Sequence, residues 1–216
     1  MEGAFFMYEE MKKLNLTPDV NTINELIRLI AYASNSSFDA KKEETKVETK
    51  IEKKNDFTID KKIELVMEKL NELKIYELKP NLLTFNNSLF VIKSFGLNQK
   101  SIPLALNILK EMELLNIEPS LATWSYVLQV FYPIRDIGTK TNVLDQIITR
   151  VEEKLEKNNG ELEWRDVNDS LFFKVAMEKC MISQDHFRHA KRIHNIVMKD
   201  NNIKFLNDQR SHRFYL

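Results

Sequence analysis

Apolar residues recur every three or four positions through most of the chain, which is the spacing of an amphipathic helix. Residues 82–95 and 103–115 show this most clearly, and Gly96, Asn98 and Pro103 interrupt the pattern between them. The apolar stripes consist of Leu82, Phe85, Leu89, Ile92, Leu106, Leu109 and Met112. Glycine and proline end regular helices. The stretch therefore predicts a helical hairpin whose two helices pack through these side chains.

This hairpin recurs along the chain with its markers at fixed offsets. A proline follows each predicted second helix, and a threonine stands four residues after each proline. The pairs are Pro18 with Thr22, Pro80 with Thr84, and Pro119 with Thr123. Repeated helical hairpins bury their apolar faces on their neighbours. The pattern predicts an all-α fold, a solenoid of about five helical hairpins.

The residues at these markers resemble the pentatricopeptide repeat family. The family repeat opens with P-D-V-x-T-Y-N-x-L-I, and residues 18–27 read PDVNTINELI. Residues 80–86 and 119–125 are similar to the same opening. The resemblance implies a right-handed solenoid whose first helices line the concave face. It also implies a ligand, single-stranded RNA, read one base per repeat.

The resemblance further implies which side chains contact RNA. A small polar residue near the start of each first helix would meet a base, the last residue of the repeat would add a second contact, and an apolar residue would wedge beside them. The matching positions are Asn24 with Asn81, Asn86 with Ser120, Ser125, and Leu83 as a wedge. Asn21 stands where the family has an aliphatic wedge. Asn and Ser also cap helices without any ligand, so capping is the alternative at these positions.

The repeat markers and the composition divide the chain into four predicted parts. Residues 1–34 hold a partial repeat and the first helix of the next, and residues 60–135 hold regular repeats. Residues 136–216 hold degenerate helical repeats. Between them, residues 35–59 are rich in Lys and Glu and poor in apolar residues. Such a segment cannot offset its ordering entropy, so we predict a disordered solvated insertion, with a regulatory or partner-binding segment as the alternative.

Charge and motif content limit the functions open to this chain. With 32 basic and 32 acidic residues the formal net charge is zero, which counts against strong autonomous RNA binding. Cys180 is the single cysteine, so no disulfide framework or thiolate zinc site is predicted. No glycine-rich phosphate loop and no nucleophile motif occurs, and no apolar run reaches membrane-spanning length. We expect no enzyme activity, no cofactor and no membrane partner.

Basic residues near the C-terminal end are candidate phosphate contacts, and a solvated basic face is the alternative. They are Arg188, Lys191, Arg192, Arg210 and Arg213. His186 and His189 stand at i, i+3, close enough to share a metal ion, but a third ligand is not evident. We therefore predict surface histidines and no metal site.

A second likeness lies in residues 190–215, which are similar to the family as it occurs in the small subunit of the mitochondrial ribosome. It implies an RNA-associated structural role in mitochondrial translation, with small-subunit ribosomal proteins and mRNA or rRNA as partners. The alternatives are a free organellar RNA-binding factor for transcript stability or processing, and a protein-binding helical scaffold. Because the chain begins with the second helix of a hairpin, we expect a fragment of a longer protein.

Overall fold

The computed structural model describes residues 2–32, 51–96, 98, 100–131, 140–181, 183 and 185–200. Across these residues the regular secondary structure is helical throughout, and an all-α fold is confirmed. The helices are α1 (Glu2–Lys13), α2 (Val20–Ala31), α3 (Ile51–Ile75), α4 (Leu82–Lys93), α5 (Ser101–Leu114), α6 (Leu121–Phe131), α7 (Lys140–Lys157), α8 (Leu171–Cys180) and α9 (His186–Lys199). None of these described helices is both long enough and apolar enough to cross a membrane.

The chain forms two compact units, and each is described by itself. Unit 1 comprises Met1–Glu118 with α1 to α5, and unit 2 comprises Pro119–Leu216 with α6 to α9. In unit 1, α2 packs on α3 and α4, and α4 packs on α5. In unit 2, α6 packs on α7 and α8, and α9 packs on both α7 and α8. Within each unit the first helices of successive hairpins therefore lie side by side, as α2 with α4 and α6 with α8.

The proline-to-threonine spacing marks the start of each first helix. The residue directly after each proline, namely Asp19, Asn81 or Ser120, caps α2, α4 or α6. Its side-chain oxygen accepts the backbone N–H of the threonine at 2.7, 3.1 and 3.3 Å, respectively. In α4 and α6 the threonine hydroxyl accepts the backbone N–H of the cap residue in return, at 3.0 and 2.9 Å. This reciprocal pair is a capping box, and it explains why threonine recurs at that position.

The second helices share one kind of ending. Asn15, Glu77 and Asn116 have φ values of 56°, 55° and 55°, each three residues before one of the prolines. The N–H of the following residue donates to the carbonyl five positions back, at 3.0, 2.8 and 2.8 Å. This is the Schellman motif, in which a left-handed residue ends a helix. Asn159 (φ 56°) and Gly160 repeat it after α7, with a bond of 2.8 Å from the N–H of Gly160 to the carbonyl of Leu155.

The core consists of apolar residues at helical spacing. The buried apolar stripe of α2 is Ile23, Leu26, Ile27 and Ile30. In α7, Ile147, Val151 and Leu155 are buried. Cys180 also lies in the core, where burial raises the pKa of its thiol to about 11. The cysteine is therefore a packing residue in its thiol form at neutral pH.

Helix α5 buries a different stripe from the predicted one. Met112 is fully buried and Leu109 is half-buried, but Leu106 is 51% exposed. The buried residues of α5 are Ser101, Ala105, Ile108 and Met112. Because α5 carries apolar residues all round, the spacing fits two overlapping faces, and packing on α4 selects one of them. Met67 on α3 was also predicted to be core and is 54% exposed.

Replacing Met112 with alanine should lower the free energy of unfolding by about 2–5 kcal/mol, because it removes a fully buried side chain and leaves a cavity. The same change at Leu106, in the same helix and predicted to share its face, should cost less than about 1 kcal/mol. Urea denaturation followed by circular dichroism compares the two variants. Equal losses at both positions would show that α5 is rotated from the orientation described.

Two helix starts differ from the predicted ones. Helix α3 begins at Ile51, nine residues before the start that the sequence predicts at residue 60. Lys and Glu favour helices and the segment has no Gly or Pro, so a helix can extend through it once its C-terminal half is packed. The rest of the predicted insertion, residues 35–50, lies outside the described residues.

The apolar spacing of the sequence predicts a helix from Trp164, but α8 begins at Leu171. The residues before it form a turn around the carboxylate of Asp169, which accepts the N–H groups of Arg165 and Asp166 at 2.7 and 2.9 Å. Asp side chains compete with the helix for backbone N–H groups. The apolar spacing that suggested an earlier start therefore belongs partly to this turn.

Candidate nucleic-acid interface

Two of the six predicted RNA contacts are helix caps. The Oδ1 of Asn81 accepts both the N–H and the hydroxyl of Thr84, each at 3.1 Å. The hydroxyl of Ser120 accepts the backbone N–H of Thr123 at 3.3 Å, and Ser120 is buried. Both side chains therefore hold the first turn of a helix. This is the alternative that the sequence left open for these positions.

Asn24 and Asn81, predicted as paired contacts of one repeat, do lie together. The Nδ2 of Asn24 donates to the Oδ1 of Asn81 at 3.2 Å. Asn87, which the sequence did not single out, donates from Nδ2 to the backbone carbonyl of Asn24 at 2.7 Å. Asn24 is 0% exposed. The hydrogen bonds of these asparagines therefore join α2 to α4.

The remaining candidates divide into buried and exposed positions. Asn86 is 1% exposed, and Ser125 is 0% exposed with its hydroxyl 3.2 Å from the Nε2 of Gln129. Asn81 and Leu83 are open to solvent at the start of α4. Base contact by Asn24, Asn86 or Ser125 stays a prediction that requires neighbouring groups to move. Asn81 and Leu83 can be reached as they stand.

Replacing Asn86 with alanine should lower the free energy of unfolding by about 1–3 kcal/mol, because a buried amide is removed from a packed polar environment. An Asn86 that only contacted RNA would be exposed and its loss would leave the melting curve unchanged, whereas Asn86 is 1% exposed. The matched control is Asn21→Ala, at an exposed position of α2, which should change stability by less than about 0.5 kcal/mol. Thermal melts of both variants measure this difference in stability. An unchanged melt with weaker binding to a pyrimidine-rich RNA strand would instead favour base contact by Asn86.

Arg192, a predicted phosphate contact, is held by acidic side chains of α7. Its guanidinium donates to Glu152 at 3.0 and 2.5 Å, to Asp145 at 2.5 Å and to Thr149 at 2.7 Å. The hydrogen bonds to Glu152 raise the pKa of Arg192. A guanidinium engaged on three partners is poorly placed to bind phosphate. Arg192 therefore joins α9 to α7.

The other predicted phosphate contacts have different surroundings. Arg188 lies 3.4 Å from the carboxylate of Asp145 but keeps 64% of its side chain exposed. Lys191 is exposed on α9. Arg210 and Arg213 lie outside the described residues. Arg188 and Lys191 thus stay predictions as phosphate contacts.

His189 is a core residue, and its prediction as a surface histidine was wrong. Its Nδ1 lies 3.0 Å from the hydroxyl of Ser183, and its Nε2 lies 3.3 Å from Asp145. His186 is exposed, as predicted. Helix α9 turns His189 toward α7 because that face also carries the apolar residues that pack there. Within the described residues no group of three or more metal-ligating side chains occurs.

The buried carboxylate of Asp169 accepts hydrogen bonds from two separate stretches of unit 2, and the sequence did not predict such a role. Asp169 is 0% exposed, and its Oδ1 accepts the N–H of Ala122 at 2.6 Å. Its Oδ2 accepts the N–H groups of Arg165 and Asp166. The sequence suggested only a favourable charge near a helix start. Its partners are backbone groups, which leave no trace in side-chain patterns.

A buried ionic cluster between α1 and α3 was also missed. Lys69 is 1% exposed, and its Nζ lies 3.0 Å from both carboxylate oxygens of Glu72. The hydroxyl of Tyr8 donates to Glu72 at 2.8 Å, and the ring of Tyr8 lies 4.9 Å from the Lys69 ammonium. Burial, followed by the bond to Glu72, raises the pKa of Tyr8. Lys and Glu at i, i+3 also occur on exposed helix faces, and the contact with Tyr8 of α1 shows that this pair is buried.

Successive hairpins with the same caps and the same endings define a class, the helical-hairpin repeat proteins. No family model matches the chain. Curated homologues, 24–32% identical over most of the chain, are small ribosomal subunit protein mS39, a mitochondrial ribosomal protein that carries pentatricopeptide repeats. The resemblance predicted from the sequence is therefore confirmed.

Three relatives illustrate the extent of this similarity. The chain is 28% identical to mS39 of Bos taurus over 98% of its length, 30% identical to that of Mus musculus over 94%, and 31% identical to that of Xenopus laevis over 99%. It spans about a quarter of the length of these relatives, 27%, 26% and 27% respectively. Each of these relatives is named as a protein of the small ribosomal subunit.

Proposed function

We propose that this chain is part of a structural component of the mitochondrial small ribosomal subunit that is associated with RNA and acts in mitochondrial translation. The observation that carries the proposal is the similarity to mS39, which extends over 94–99% of the chain in the three relatives named above. Its partners would be small-subunit ribosomal proteins together with rRNA or single-stranded mRNA. Its location would be the mitochondrion.

The finer form of the fold belongs to the same proposal, namely a right-handed solenoid of pentatricopeptide repeats. Two recurrent structural features support it. The capping interactions at α2, α4 and α6 occur at one fixed offset. The endings of α1, α3, α5 and α7 use the same bond from one residue to the carbonyl five positions back. Hairpins that start and end in the same way can stack on one another with the same geometry at each step.

Burial of the asparagines favours a structural role over reading of RNA sequence. Asn24, Asn86 and Ser125 are each no more than 1% exposed, whereas a residue that reads a base must reach its edge. Asn81 and Leu83 could contact RNA at the start of α4, and Arg188 and Lys191 could contact phosphate. The same burial, with zero net charge, supports a protein-binding scaffold as the second candidate. The neutral charge makes a free RNA-binding factor the weakest of the three.

Sedimentation tests the proposed function. An epitope-tagged chain, directed to mitochondria by an added leader, should co-migrate with the small ribosomal subunit on a gradient at physiological salt. It should stay with the small subunit when removal of magnesium ions separates the two ribosomal subunits. A chain found in lighter complexes that ribonuclease disperses would favour the free RNA-binding factor. A chain in light complexes that resist ribonuclease would favour the scaffold.

A further inference from the structure

An apolar groove of about 570 Å³ lies between α3 and α5 in unit 1. Its walls include Val66, Met67 and Leu70 of α3, Leu104 and Leu114 of α5, and Leu115 directly after α5, and α4 supplies the floor. Met67, Leu114 and Leu115 are 54%, 66% and 47% exposed. Exposed apolar side chains that gather in one groove, rather than singly over the surface, make it a candidate interaction surface.

The groove occupies the place of a missing helix contact. In unit 2 the second helices of successive hairpins, α7 and α9, pack on one another. In unit 1 the corresponding helices, α3 and α5, lie apart with the groove between them. The wall formed by residues 63–74 of α3 runs for about 17 Å, or three helical turns. A short helix therefore matches the groove in both length and surface chemistry.

Charged groups lie at the edges of the groove rather than inside it. Lys74 and Lys110 line it with one acid, Glu111. Within the described residues, neither Lys74 nor Lys110 has an acidic partner, so the edge carries a net positive charge. At the other end an ion pair between Lys100 and Asp60 joins the start of α5 to α3. Small-molecule sites hold polar groups that converge on the ligand. In this groove the charged groups lie at the edges instead.

We propose that this groove binds an amphipathic helix of a neighbouring protein, with an apolar stripe facing α4 and acidic residues beside Lys74 and Lys110. The apolar stripe would cover Met67, Leu114 and Leu115, and the acidic flanks would fix its orientation. The proposal deepens the proposed function by giving the chemistry of one protein partner, and it rests on that function in expecting the partner to be a ribosomal protein. A second copy of this chain and RNA are the other occupants that the test separates.

Two synthetic peptides test the charge of the partner. Both are about 14 residues long, with leucines at three- and four-residue spacing, and one has Glu and the other Lys beside the stripe. Fluorescence anisotropy with the whole chain should show the Glu peptide binding about tenfold more tightly. The variant Lys74→Glu/Lys110→Glu should reverse the preference. Lys174→Glu, a matched change on an exposed part of α8, should leave it unchanged.

Two further variants test the apolar walls. Leu114→Asp should weaken the Glu peptide at least about tenfold, because it places a charge where the stripe packs. Leu14→Asp, at a position 70% exposed outside the groove, should not. Circular dichroism checks that each variant keeps its helicity.

Other outcomes overturn the proposal. Equal affinity for both peptides, absence of binding, displacement of the Glu peptide by single-stranded RNA, or self-association of the chain that Leu114→Asp abolishes would each do so. These peptide measurements are independent of the sedimentation experiment. The peptides can therefore contradict the groove proposal while the chain still co-migrates with the ribosomal subunit. The opposite combination, peptide binding without co-migration, would contradict the proposed function alone.

Discussion

Replacing Asp169 with alanine should lower the free energy of unfolding of unit 2 by about 3–5 kcal/mol. The carboxylate accepts three backbone N–H groups, those of Ala122, Arg165 and Asp166, at 2.6, 2.7 and 2.9 Å. It is fully buried. Each N–H left without a partner in a buried place costs about 1–3 kcal/mol, and partial access of water reduces the sum. The loss should therefore exceed that of an ordinary helix cap.

The experiment is urea denaturation followed by tryptophan fluorescence. Trp124 and Trp164 are the two tryptophans of the chain, and both belong to unit 2. Asp166→Ala is the matched control in the same turn, because its carboxylate accepts the N–H of Asn168 at 2.8 Å; that change should cost about 1 kcal/mol. Asp169→Asn should lie between the two, since one acceptor oxygen remains. Equal effects of the two alanine variants would mean that Asp169 is not the centre of this turn.

Replacing Glu72 with alanine should destabilise unit 1 by about 3–5 kcal/mol, because it leaves a buried ammonium without its main counter-charge. Lys69 is 1% exposed, and both oxygens of Glu72 lie 3.0 Å from its Nζ. The hydroxyl of Tyr8 would also lose its acceptor. Glu68, 2.9 Å from the same ammonium, is half exposed and compensates only in part.

A double variant separates the net contribution of the ion pair to stability from the cost of leaving one partner unpaired. Lys69→Met/Glu72→Leu should recover most of the stability, because apolar residues of similar size can replace a buried pair at little cost. Glu9→Ala, which removes an exposed partner of Lys12, should change stability by less than about 1 kcal/mol. Circular dichroism during urea unfolding measures all three. A single variant no worse than Glu9→Ala would show that Lys69 is solvated in solution.

Local patterns predicted the hairpins well because their signals are local. The starts of α2, α4 and α6 depend on a cap residue and a threonine three positions later, which interact within one turn. The stop at Asn159 and Gly160 likewise depends on neighbouring backbone groups. Such contacts do not depend on the rest of the molecule, so their sequence pattern was sufficient.

The candidate site was predicted less well, because a small polar residue can serve a helix start, an interhelical contact or a ligand. Asn24 and Asn81 were paired as RNA contacts, and their 3.2 Å hydrogen bond joins two helices. The sequence pattern also did not predict which apolar face of α5 is buried, or that His189 is buried. In both helices, side chains of suitable character lie on more than one face.

By itself, the sequence determined that this chain forms repeated helical hairpins, where most helices begin and end, and which family it resembles. The tertiary structure alone decided which stripe of α5 is buried, that Lys69, Asp169 and His189 lie in the core, and that α3 and α5 enclose a groove. The physical reason is the range of the interactions. Caps and helical periodicity act within a few residues, whereas burial depends on which distant helix covers a given face.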